Sequence, residues 1–178
     1  MKMSNFVLNS KELKTAAQSL KVGDTVLLSG RVYTARDAAH QRLIDMLNSG
    51  EELPFDLDGA TIYYAGPTEA PKGLAVGSCG PTTSCRMDSF TPTLLENGLC
   101  CMIGKGDRSD DVIASMIKNK AVYLCAVGGA GALAAKCIKK AKVIAFCDLG
   151  PESIKELELK DFPLIVGIDS LGNSLFIK

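Results

Sequence analysis

The sequence predicts a single α/β domain on a mixed, partly parallel sheet, and three observations carry that expectation. From residue 87 onward, strand-like apolar runs alternate with helix-length segments, the pattern left by strands joined through crossover helices. The 178 residues contain no linker, repeat or low-complexity tract and suffice for one core without staples. Hydrophobic residues at 47% and charged residues at 22% match a globular chain that folds in water. One domain is expected over residues 1–178, with the parallel pairing in its second half.

The elements follow in order. Phe6-Val7-Leu8 is a short apolar start, and Ser10 is placed to cap a helix over 10–20. Val22-Gly23-Asp24 turns into a strand over 25–30 that continues extended through Thr34. Residues 35–48 read as a helix with Leu43, Ile44 and Leu47 on one side. Leu57-Asp58-Gly59 turns into a strand over 61–66. A helix is expected over 87–96, with Pro92 marking a break or a late start. Strand 100–104, helix 110–119, strand 121–127, helix 132–140 and strand 142–147 follow. Residues 163–169, a turn at Gly172-Asn173 and residues 175–177 read as a closing hairpin.

Composition removes several classes of function. Twenty Lys and Arg balance twenty Asp and Glu, so no net field gathers nucleic acid or an acidic membrane. There is no Trp, with only four Tyr and six Phe, which weakens base stacking further. The seven cysteines (79, 85, 100, 101, 125, 137 and 147) include no C-x-x-C pair and lie mostly in apolar runs. Residues 1–9 are too short and polar for a leader, and 121–135, with three glycines, falls short of a span. A reducing cytoplasm is the expected location.

The chemically richest string is Gly77-Ser78-Cys79-Gly80-Pro81-Thr82-Thr83-Ser84-Cys85-Arg86-Met87-Asp88. Gly-Pro ends any preceding element, so Thr82, Thr83 and Ser84 stand where a helix can begin. Free N–H groups there favour an anion, and Arg86 adds a planar fork suited to a carboxylate. A capped helix with a surface ion pair is the plainer reading of the same residues. A second motif, Gly129-Ala130-Gly131-Ala132-Leu133-Ala134, fits G-x-G-x-x-A, with Asp148 near the spacing of a ribose-binding acid. It comes too late for a doubly wound sheet, and Gly150-Pro151 puts a turn just past the acid. Close helix–sheet packing is the reading preferred there, and a dinucleotide-binding module is the rival.

Further strings accompany the first: Thr34-Ala35-Arg36-Asp37-Ala38-Ala39-His40, Tyr64-Ala65-Gly66-Pro67, Met102-Ile103-Gly104-Lys105-Gly106 and Val127-Gly128-Gly129-Ala130. Asp148-Leu149-Gly150-Pro151-Glu152 and Phe162-Pro163 follow. Together they resemble the β subunit, or C-terminal domain, of the class I fumarase and L-tartrate dehydratase family of iron–sulfur hydro-lyases. The resemblance runs from about Val22 nearly to the C-terminus.

That resemblance implies a swivelling β/β/α domain that closes over a [4Fe–4S] cluster held by an α subunit, with this chain supplying substrate-binding groups and no metal ligand. It implies reversible hydration of a small dicarboxylic acid, fumarate to L-malate first and L(+)-tartrate dehydration second. Thr82 is implied as the base, Thr83 and Ser84 as substrate-binding. Arg36 and Arg86 can each clamp a carboxylate, and Lys105 adds a point charge. Thr82, Arg86 and Lys105 are thus the catalytic candidates, and Arg36, Thr83 and Ser84 the substrate-binding ones. His40 and Asp88 stand behind them, Asp88 as the group that orients Arg86 or stabilises a helix start. Cys85 departs from the family string, where Gly is usual; a side chain there narrows the pocket or strains the turn if a positive φ is needed. A face that meets an α subunit leaves apolar surface, so the lone chain is expected to form a homodimer. A non-catalytic regulatory partner is a further alternative, against which the intact polar set speaks.

Overall fold

The computed structural model describes residues 3–127, 129 and 131–176. The first strand, β1 (Asn5–Asn9), ends in a cap made by Asn9 rather than Ser10. The Asn9 side chain accepts from Lys11 N–H at 3.1 Å, and Glu12 accepts the Asn9 N–H at 2.6 Å. The helix expected over 10–20 is shorter, a 3₁₀ turn at Ser10–Glu12 and then α1 (Leu13–Ala16). Strand β2 (Thr25–Thr34) turns Val26, Leu28 and Val32 inward in strict alternation. Helix α2 (Asp37–Ser49) buries Ala39, His40 and Leu43 and stops at Gly50, whose φ of 71° suits glycine.

Strand β3 (Thr61–Tyr63) is followed by a long loop and a 3₁₀ turn at Ser84–Met87. The helix expected over 87–96 is α3 (Thr91–Glu96), with Pro92 in its first turn, so the late start is the outcome. Then come β4 (Cys101–Gly104), α4 (Asp110–Asn119, capped by Ser109), β5 (Val122–Cys125) and α5 (Gly131–Cys137). Strands β6 (Ile138–Ala145) and β7 (Ile154–Ile168) complete the chain.

Two expectations near the end are corrected. The helix over 132–140 stops at Cys137, because Lys140 and Lys142 face Glu158 and Glu156 across the β6–β7 ladder. The closing hairpin is instead one 15-residue strand, β7, with a single bridge from Ile168 to Ser174. Ile177, expected in its second arm, lies outside the described residues.

Strands β1 to β5 pair in parallel in that order, while β7 runs antiparallel to β2, β5 and β6. The sheet is therefore mixed; the parallel pairing expected in the second half is present at β4–β5, and it begins earlier, at β1–β2. Because β7 pairs with both β2 and β5, strands β2-β3-β4-β5-β7 close into a ring. One core, with Val26, Leu28, Ile103, Leu124, Leu164 and Val166, fills the space between the strand layers. A second, with Leu43, Ile62, Leu94, Met102, Met116 and Ile168, lies between the parallel strands and helices α2, α3 and α4. The layering is β/β/α. The loops after β2, β3 and β4 all emerge at the carboxyl ends of parallel strands, where α/β sheets place their binding sites.

Candidate functional site

Three of those loops carry the candidate residues. Arg36 follows β2 with extended backbone and leads into α2. The segment 81–84 returns beside β3 and β4: Thr82 N–H donates to Tyr64 C=O at 2.6 Å, and Ser84 N–H to Lys105 C=O at 2.9 Å. Pro81 bridges Ala65 and Thr83 bridges Lys105, so this segment adds short pairings at the strand ends. Thr82 and Thr83, Arg86 one turn further on, Lys105 and Arg36 are thereby brought to one end of the sheet.

Their environments differ. Thr82 is half-buried and its hydroxyl bonds no described residue, while Thr83 and Lys105 are exposed. Ser84 is fully buried: its Oγ lies 2.8 Å from the Tyr123 hydroxyl and accepts Lys105 N–H at 3.1 Å. It is therefore part of the wall and not a group that reaches solvent. Thr83 occupies the capping position of the 3₁₀ turn without making a side-chain cap, and that turn is too short to act as a helix N-terminus. Cys85 is exposed and does not share the positive φ of Lys120, Phe146 and Asp161, so the turn is not strained by its side chain.

The arginines are held by carboxylates that the motif reading did not select. Arg86 donates from Nε to Asp37 Oδ1 at 2.9 Å. Arg36 lies 3.3 Å from Glu152 through Nη2, and its Nε faces Asp37 Oδ2 at 4.0 Å. Glu152 also accepts the Ala38 N–H at 3.3 Å, anchoring the start of α2. Gly66 leaves room for this arrangement, since a Cβ there would stand 3.1 Å from Arg36 Nη1 and 3.3 Å from Pro151 C=O.

Asp88 does not orient Arg86. It accepts from Arg108 Nε at 2.7 Å and from Ser109 N–H at 2.7 Å. Arg108, absent from the sequence candidates, is buried with its guanidinium over the rings of Tyr64 and Tyr123, and donates to Thr91 Oγ1 at 2.8 Å. Because Tyr123 also holds Ser84 and Gly106, this buried cation ties the 84–88 turn to the 105–109 loop. Nothing in Gly-Asp-Arg-Ser-Asp-Asp separates Arg108 from a solvated charge run. Asp37, by contrast, was legible as Arg36's neighbour.

His40 is fully buried, with Nδ1 2.9 Å from Arg36 C=O and its ring against Tyr64 and Phe90. Burial drives its pKa down to about 4, and Arg108 pushes the same way. It is a packed neutral imidazole behind Arg36.

The cysteines are mostly core. Burial pushes the Cys79 thiol up to about 12, Cys100 and Cys125 to about 11, and Cys101 well above its ordinary value. Among the described residues no three His, Cys, Asp or Glu gather as a metal site. Nor is any described helix long and apolar enough to cross a membrane. The small residues of the G-x-G-x-x-A string have a packing reason: Gly131 C=O accepts Cys79 N–H at 3.1 Å, and a Cβ on Gly131 would run into Ser78 Oγ. Ala130 of that string lies outside the described residues.

A family model described as the C-terminus of fumarase matches residues 1–178. The chain belongs to this fumarase C-terminus family. A Methanocaldococcus jannaschii protein named "Putative L(+)-tartrate dehydratase subunit beta" is 42% identical over 173 residues, covering 94% of this chain and 89% of its own. Fumarate hydratase 2 of Leishmania major is 40% identical over 159 residues, and the anaerobic class I fumarate hydratase of Escherichia coli 38% over 168. This fumarase C-terminus chain spans 28% and 31% of those two relatives' own lengths.

Proposed function

We propose that the chain is the β subunit of an iron–sulfur-dependent hydro-lyase that hydrates or dehydrates a small dicarboxylic acid, fumarate and L-malate first. The observation that carries this reading is the meeting of Arg36, Thr82, Arg86 and Lys105 at the carboxyl ends of β2, β3 and β4. Dehydration of a hydroxy acid removes a proton next to a carboxylate and expels hydroxide, so negative charge builds on that carboxylate. Arg36 and Arg86 serve as clamps for the acid's two ends and Lys105 as the cation facing the developing charge; one such donor contributes about 3–4 kcal/mol. Thr82 is the proposed proton acceptor, with cations nearby to stabilise its alkoxide, and Thr83 a substrate contact. Ser84 supports the site by holding the Lys105 N–H.

The described residues do not fit as ligands of a [4Fe–4S] cluster, since no three His, Cys, Asp or Glu gather among them and three of the cysteines are buried. The cluster is proposed to be held by a partner α subunit, matching the remaining length of the fumarate hydratase relatives. Apolar surface supports a partnered face: Val7, Leu27 and Ile165 are exposed on neighbouring positions of β1, β2 and β7. In the absence of that partner the chain is proposed to form a homodimer, and a monodisperse monomer by light scattering would exclude it. A cytoplasmic location accords with the unpaired cysteines.

L(+)-tartrate is the second reading, favoured by the M. jannaschii relative, whose length this chain nearly fills. The two are separated anaerobically. The chain is mixed with a candidate α subunit, iron and sulfide are reconstituted, and fumarate absorbance is followed on adding L-malate. Turnover in the mixture alone supports the split site. A cluster-loaded mixture silent on malate but active on tartrate selects the second reading, and activity of this chain alone refutes both.

A further inference from the structure

Asp37 stands between two arginines from different strand-end loops. Its Oδ1 accepts the Arg86 Nε–H at 2.9 Å across 49 residues of sequence. Its Oδ2 is buried, makes no hydrogen bond, and faces Arg36 Nε at 4.0 Å, itself buried and without a hydrogen bond. The carboxylate is fixed from behind as the first residue of α2, whose start is held by Ala38 N–H on Glu152 and His40 N–H on Arg36 C=O. An arginine gripped through Nε keeps Nη1 and Nη2 as an end-on donor pair. Those two nitrogens of Arg86 have no acceptor among the described residues, and its side chain is 50% exposed.

We infer that Asp37 is the positioning residue of the clamp: it draws Arg36 and Arg86 together against their mutual repulsion and aims the free end of Arg86 at a substrate carboxylate. This rests on the hydro-lyase reading and adds the group that sets its geometry. Charge alone and positioning make opposite predictions. Replacing Asp37 by Asn raises the local charge by one, which by itself attracts a dianion and lowers KM. Loss of aim instead raises KM.

The test uses Asp37→Asn and Asp37→Ala in the chain assembled with its α subunit, together with ¹⁵N-arginine spectra of the chain. The near-isosteric Asn variant guards against a folding failure in the Ala variant. The expected result is a KM for the dicarboxylic acid raised about 10-fold or more in Asp37→Ala, the factor for losing one charge-assisted hydrogen bond, and raised less in Asp37→Asn, whose amide oxygen still accepts from Arg86 Nε without the charge. Hydrogen exchange at Arg86 Nε is expected to quicken at least as much, with an unchanged thermal midpoint in Asp37→Asn. A lowered or unchanged KM overturns the inference, as does unchanged Arg86 Nε exchange in the folded variants. Full turnover by Arg86→Ala overturns the underlying site reading, and the clamp with it. Loss of turnover in Arg86→Ala beside a normal KM in both Asp37 variants overturns only the role of Asp37.

Discussion

Arg108 Nε meets Asp88 Oδ1 at 2.7 Å, and none of the Arg108 side chain touches solvent. The pair joins the turn that carries Arg86 to the loop that carries Lys105, with Tyr64 and Tyr123 covering the guanidinium. Desolvating such a pair costs much of what its attraction returns, but removing one partner leaves the other charge buried alone. Arg108→Met should therefore destabilise the chain by about 3–5 kcal/mol in urea unfolding. A change below about 1 kcal/mol would show that the pair is not sealed from water.

Gly104 and Ser84 are mutually constrained. A Cβ on Gly104 would run into Ser84 Oγ and sit 3.0 Å from Tyr64 Cδ2. Gly104→Ala alone should cost about 1–3 kcal/mol or more, and adding Ser84→Gly should recover part of it. Strict additivity of the two changes in a double-mutant cycle would contradict this close approach.

His40 makes stability depend on pH. It is held neutral in the fold down to about 4, while the unfolded chain protonates it near 6.5. Between those values the unfolded state binds more protons, so stability falls as pH drops from about 6.5 towards 4, by up to roughly 3 kcal/mol. His40→Phe should flatten this part of the stability profile. An unchanged slope would place the acid sensitivity in other groups.

The thiols should separate by exposure. Cys85 and Cys147 are exposed, Cys125 and Cys137 half-buried, and Cys79, Cys100 and Cys101 buried with thiols pushed up. A disulfide reagent should label Cys85 and Cys147 first, as peptide mapping by mass spectrometry would show. Early labelling of Cys101 would mean that β4 opens.

Arg86→Ala should leave folding within about 0.5 kcal/mol of the parent, since an exposed ion pair contributes little. In the proposed assembly with an α subunit the same change should lower turnover about 10²–10³-fold, the scale for losing one donor to a developing negative charge. Lys105→Ala should behave alike, because its side chain is exposed.

Local signals made much of the fold readable. Alternation in β2, the capped periodicity of α4 and the Pro92 start of α3 are near-neighbour effects, and each lies where the residues predict. The loops bearing Thr82, Arg86 and Lys105 were legible too, because glycines, Pro81 and clustered hydroxyls exclude them from core, whereas Arg36, read as part of the helix over 35–48, stands in extended backbone just before α2. β6 and β7 were misread at their ends. Lys140 and Lys142 resemble the outer face of a helix until Glu158 and Glu156 are set opposite them, and that pairing spans a turn.

By itself the sequence determined an α/β domain of the fumarase C-terminus family and the polar strings that line one end of its sheet. Tertiary structure alone decided which carboxylate holds which arginine: Asp37 takes Arg86, Glu152 takes Arg36, and Asp88 takes the buried Arg108. Composition and periodicity record whether a residue is buried and on which face it lies. A charge pair between residues 37 and 86 exists only because parallel strands bring both loops to the same end of the sheet.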